Sequence, residues 1–108
     1  RQAADDLGIE VEFHQTAREG EIIELLHSGI DSCAGAVLNP AAYSHTSRAI
    51  ADAIRAVPFP VIEVHLSNIH AREPWRRHSV TAEAAAGIVA GLGAGSYVAA
   101  LHALKRMM

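Results

Sequence analysis

An α/β fold, a parallel sheet covered on both faces by helices, is predicted for this chain by three observations. Strand-like and helix-like segments alternate along its length, the pattern of strand–helix–strand units. Pro58 and Pro60 separate a helical segment from the clearest strand in the sequence, PVIEVHLS. With 108 residues, half of them apolar, the chain is long enough for one small domain and too short for two, so residues 1–108 are read as a single domain.

The elements follow in order. Ala3 to Leu7 read as the tail of a helix closed by Gly8, and IEVEFHQ, with alternating Ile9, Val11 and Phe13, as a strand. Thr16 with Glu19 three residues on has the spacing of a capping box, and Ile22, Ile23, Leu25 and Leu26 mark a helix ending at Gly29. GAVLN at 35–39 reads as a short buried strand. Ala49, Ile50, Ala53, Ile54 and Val57 restore helical spacing before the prolines and PVIEVHLS. Periodicity cannot assign AEAAAGIVAG, where alanine favours helix and Gly87 and Gly91 oppose it; a short buried strand is expected. Ser96 is placed to cap a last helix whose apolar face would be Tyr97, Val98, Leu101, Leu104 and Met108.

Composition narrows the function. A formal charge of −3 and nine scattered Lys and Arg residues form no basic stripe, which excludes an obvious nucleic-acid footprint and leaves a small molecule or another protein as partner. Cys33, the single cysteine, cannot form an internal disulfide; it is read as packing material in a reducing compartment. The run AAAGIVAGLGAG falls well short of the roughly 20 residues that cross a bilayer, so no membrane span is expected. The N-terminal RQAADDLG lacks the apolar core of a secretory signal and reads as helix interior, as though the chain began inside a larger element. None of the seven histidines stands at familiar zinc spacing, so no metal site is expected.

In open parallel sheets ligands sit at the carboxyl ends of strands, which directs attention to the residues after Asn39 and after Leu66. In PVIEVHLS, Val61, Glu63 and His65 share one face and Ile62, Val64 and Leu66 the other. Glu63 and His65 are then about 7 Å apart at their alpha carbons, close enough for a carboxylate to orient an imidazole as a proton donor. The alternative is an edge strand with one wet face. If Glu63 is inside, it must be paired, because an uncompensated buried charge costs several kcal/mol. NPAAYSHTS puts Asn39 at a strand end and His45 beside a helix start suited to polar or anionic ligands. Ser67, Asn68 and Ile69 form the next strand-end turn, followed by Arg72, Arg76 and Arg77, which are either ligand groups or solvated surface.

IEVHLSNIHAREPWRRHS, NPAAYSHTS and the weaker EFHQTAREGEIIELLH resemble the type II dehydroquinases over nearly the whole chain. The resemblance implies a flavodoxin-like fold and cofactor-free dehydration of 3-dehydroquinate to 3-dehydroshikimate through an enolate, in the shikimate pathway to aromatic amino acids or in quinate catabolism. It implies His65 as the acid for the departing hydroxyl, Glu63 as its orienting partner, and Arg72 as an arginine stabilising charge near the base. Asn39 and the amides of Leu66 and Ser67 would hold the substrate carboxylate, and His45 and Arg76 the ring hydroxyls. Asp52 matches an acid that reaches into a neighbouring subunit, in trimers assembled to a dodecamer. A cytoplasmic enzyme is expected.

In the family the base is a tyrosinate on a lid after the first, central strand, and neither that strand nor that lid is found in this sequence. Tyr43 and Tyr97 match other places in the family pattern and are read as packing residues. The chain is therefore expected to be a partial copy, inactive or nearly so alone. The strand IEVEFHQ would have to pair directly with GAVLN or leave ladder bonds unmade. The alternative function is a non-catalytic module binding a small carboxylate. A phosphoacceptor domain of similar topology is a weaker third reading, because no acidic cluster ends an available strand.

Overall fold

Pro58 and Pro60 stop the third helix, and the chain turns directly into the strand that organises the molecule. The computed structural model describes residues 2–108. Its elements run α1 (Gln2–Leu7), α2 (Glu19–Ser28), β1 (Ala36–Leu38), α3 (Arg48–Ala56), β2 (Val61–His65), β3 (Gly87–Ala90) and α4 (Gly95–Met107), with single 3-10 turns at Ala41–His45, Ile69–Ala71 and Pro74–Arg76. The three strands are parallel in the order β1-β2-β3, so β2 is central.

The period of two along β2 divides the core. Val61 faces a cluster made by Ile22 and Leu26 of α2, Ile50, Ala53 and Ile54 of α3, Val57 and Phe59. Ile62 and Val64 face Ala100 and Leu104 of α4. Helices thus cover both faces, as alternation predicts for a parallel sheet. Every residue of β2 is buried. The α4 layer approaches closely here: a Cβ on Gly35, just before β1, would lie 2.7 Å from a methyl carbon of Leu104, so a side chain at that position would have to displace Leu104.

Most expected elements are present, and five local expectations are corrected. Residues 9–15 form no strand, and Phe13 is exposed. Alternation supplies a face but a strand also needs a ladder partner, and among the described residues β1 pairs with β2 alone. Thr16 does not close a capping box: its hydroxyl accepts from the Arg18 amide at 3.1 Å, a local turn that leaves Arg18 as the N-cap. β3 is a strand but not a buried one, because it lies at the sheet edge with Ile88 exposed. Ser96 lies inside α4 and its hydroxyl accepts from the Leu92 amide at 3.1 Å. That bond turns Ser96, Ala100 and Leu104 inward and leaves Tyr97, Val98 and Met108 exposed. Cys33 is exposed, because it follows the turn after α2 and precedes β1.

Candidate active site

The polar centre of the molecule begins with the two side chains that alternation places beside each other on β2. Glu63 is wholly buried and His65 is 6% exposed, and His65 Nε2 stands 2.8 Å from Glu63 Oε2. Two hydroxyls complete the carboxylate's coordination. Ser79 Oγ donates to Oε2 at 2.7 Å, and Thr81 Oγ1 donates to Oε1. Ser79 is itself held by the Ala82 amide at 3.0 Å.

These bonds decide the charge state. Burial raises the Glu63 pKa, but the hydrogen bonds from His65, Ser79 and Thr81 and the charge of His65 outweigh it and hold the carboxyl below its ordinary range. An ionised carboxylate only accepts, so His65 donates Nε2–H to it. Nδ1 is then the ring nitrogen left for a ligand. The wet-edge alternative is removed, since β2 is central and buried.

The turn after β2 is tied to the loop after β3. The Gly91 amide donates to the His65 carbonyl at 3.1 Å and the Gly93 amide to the Leu66 carbonyl at 2.9 Å. Gly91 has φ +88 and a Cβ there would meet Asn68 at 3.3 Å, so this junction requires glycine. Leu66 and Ser67 are exposed at this strand end, and Asn68 Oδ1 caps the following turn through the His70 amide at 3.0 Å.

The other sequence-picked residues fall into three groups. His45 and Arg76 meet on one aromatic ring: the His45 ring is edge-on to Trp75 at 5.2 Å between centroids, and the Arg76 guanidinium lies 4.1 Å from the Trp75 centroid. His45 Nδ1 donates to the His78 carbonyl at 2.8 Å, and Arg76 Nε donates to the Glu73 carboxylate. Arg72 is exposed at the close of the preceding turn.

Asn39 forms a second group at the end of β1. Its Oδ1 accepts from the Ala41 amide and its Nδ2 donates to the Tyr97 hydroxyl, both at 3.0 Å, beside a cavity of about 230 Å³ that Asn39 and Tyr43 help to line. Tyr97 is therefore not a packing residue as expected: it is 39% exposed and bonded to a candidate ligand group. Tyr43 does pack against the α2–α3 core, and its hydroxyl donates to the Ala17 carbonyl at 2.9 Å. Asp52 stands apart, exposed on α3, where it lines a second cavity of about 440 Å³ with Arg48, Arg55, His78 and Glu83.

Sequence reasoning missed Ser79 and Thr81 as partners of Glu63. The usable signal was stoichiometric: a buried carboxylate has about four acceptor sites and one imidazole fills only one, so further donors were required. Nothing in the spacing of 16 and 18 residues identified which they were. Among the described residues, no group of three or more His, Cys, Asp or Glu is placed to hold a metal ion. No described helix is long and apolar enough to cross a membrane.

A parallel α/β sheet covered by helices on both faces, with a carboxylate-held imidazole at the carboxyl end of its central strand, defines a protein of the flavodoxin-like class. The family model described as Dehydroquinase class II matches residues 1–105, and the chain belongs to that family, whose members are hydro-lyases. It is 53% identical over 105 residues to 3-dehydroquinate dehydratase 1 of Agrobacterium fabrum, covering 97% of this chain and 72% of that protein. It is 58% identical over 105 residues to the 3-dehydroquinate dehydratase of Chelativorans sp., covering 96% of this chain and 72% of the relative. Its structure superposes on the type II dehydroquinase of Propionibacterium acnes with a TM-score of 0.92 at 43% identity, over 97% of this chain and 77% of the other.

Proposed function

We propose that this chain carries the acid and the substrate rim of a 3-dehydroquinate dehydratase, which removes water from 3-dehydroquinate to give 3-dehydroshikimate in the shikimate pathway. The observation that carries the reading is the buried bond of 2.8 Å between His65 and an ionised Glu63. With Nε2–H held by the carboxylate, a proton on Nδ1 makes the ring an imidazolium whose charge Glu63 balances. Delivery of that proton to the departing hydroxyl returns the ring to neutrality, and the Ser79 and Thr81 bonds keep Glu63 from taking the proton itself.

The rim supplies binding. Asn39 and the amides of Leu66 and Ser67 would take the substrate carboxylate, His45 and Arg76 the ring hydroxyls, and Arg72 the charge that develops near the base. His45 supports this assignment through its tautomer. A carbonyl only accepts, so Nδ1 carries the hydrogen shared with His78, and in the neutral ring Nε2 accepts from a ligand hydroxyl. By the family pattern the base would be a tyrosinate on a lid that follows a first strand. Tyr43 is engaged by Ala17 and Tyr97 by Asn39, and neither is assigned that role.

We infer assembly as trimers joined in a dodecamer, with exposed Asp52 reaching a neighbouring subunit, and residence in the cytoplasm. Calorimetry with 3-dehydroquinate and the appearance of enone absorbance test the reading together. The 108-residue chain is expected to bind without turnover, and the same residues preceded by a first strand and a Tyr-bearing lid to turn over. Rapid turnover by the short chain would refute the division of roles; binding by both forms without product would favour a carboxylate-binding module.

A further inference from the structure

The two groups assigned to the ring hydroxyls lie on different segments, His45 before α3 and Arg76 in the loop after β2. What joins them is Trp75, the only tryptophan in the sequence. It is 55% exposed, so burial does not account for a large aromatic side chain there. Its edge-on contact with His45 at 5.2 Å and the guanidinium at 4.1 Å are geometries in which a ring quadrupole attracts its neighbours.

Each neighbour is held on a second side. His45 is bonded through Nδ1 to the His78 carbonyl, and Arg76 through Nε to Glu73. The indole therefore closes two short chains of contacts and sets the separation between an acceptor, His45 Nε2, and the remaining donors of the Arg76 guanidinium. A pair with one acceptor and one fork of donors suits two hydroxyls on a saturated ring, one donating and one accepting.

We propose that Trp75 is a positioning residue that sets the spacing between His45 and Arg76 and so determines which cyclic polyhydroxy acid the rim accepts. The inference rests on the reading of the rim as the 3-dehydroquinate site. Trp75 acts through its two neighbours and itself contacts no reacting atom.

The test is calorimetric binding of 3-dehydroquinate to the 108-residue chain and three variants. Trp75→Ala is expected to weaken binding about ten-fold, the scale of one aromatic or cation–π contact, while Trp75→Phe, which keeps an aromatic face, loses less than about three-fold. In an Arg76→Ala background, adding Trp75→Ala should cost less than about two-fold, because residues acting through one another are not additive. Unchanged affinity in Trp75→Ala, or a full additional loss in the Arg76→Ala background, would overturn the positioning role. Failure of the unaltered chain to bind 3-dehydroquinate would instead remove the reading of the rim, and this inference with it.

Discussion

The buried centre and the exposed rim of the site are built by opposite means. Around Glu63 the acceptor oxygens are matched by donors from His65, Ser79 and Thr81, all within the core. Around Asn39, His45, Arg72 and Arg76 the side chains are half or fully exposed; Asn39 is held by two hydrogen bonds, and His45 and Arg76 by one each with a contact to the Trp75 ring. The group proposed as proton donor is thus fixed by the same packing that stabilises the fold, whereas the groups proposed to read the ligand are set by loops. Changes at the centre should couple stability to chemistry, and changes at the rim should separate them.

The largest effect tests that coupling at its chemical end. In the form with first strand and lid, His65→Ala should reduce dehydration about 10²- to 10⁴-fold, the range for a general acid, measured as enone formation. Near-normal rates would break the assignment.

Next comes stability at the same centre. Glu63→Ala leaves His65, Ser79 and Thr81 without their shared acceptor and is expected to cost about 3–5 kcal/mol in urea unfolding, as for one half of a buried pair. The pH dependence has a definite sign. The folded Glu63 carboxyl lies below its ordinary value of 4.5, so its stabilisation is complete above that value and is lost as pH falls through the lower, folded one. The stability gap between the unaltered chain and Glu63→Gln should therefore narrow below pH 4.5; a gap constant to pH 3, about 1.5 units lower, would show that Glu63 is not the titrating group.

Thr81→Val, which keeps the shape and deletes one donor, should destabilise by about 1–3 kcal/mol and Thr81→Ser by less. Equal losses would place the effect in packing, not in the hydrogen bond.

At the rim the sign reverses. Ala41 holds φ +51 in the loop after Asn39, a conformation that costs an L-residue about 1–2 kcal/mol. Ala41→Gly is expected to raise stability by up to about 1 kcal/mol, and a loss of stability would show that the loop tolerates alanine at no cost. Smallest of all, Asp52→Ala on exposed α3 should change monomer stability by less than about 0.5 kcal/mol, as a surface substitution away from the core.

The sequence alone determined the α/β class, the existence of the helices that end before Gly29 and before Pro58, and the sharing of one strand face by Glu63 and His65. These follow from periodicity, which is a property of neighbouring residues. Tertiary structure decided the rest. IEVEFHQ and VIEVH both alternate, yet only the second has a strand on each side and becomes one. The hydroxyls that join His65 in holding Glu63 below its ordinary range, the bond of Ser96 within α4, and the meeting of His45 with Arg76 on Trp75 each join residues through space. Local pattern fixes which way a side chain points, but only the packed chain fixes what stands opposite it.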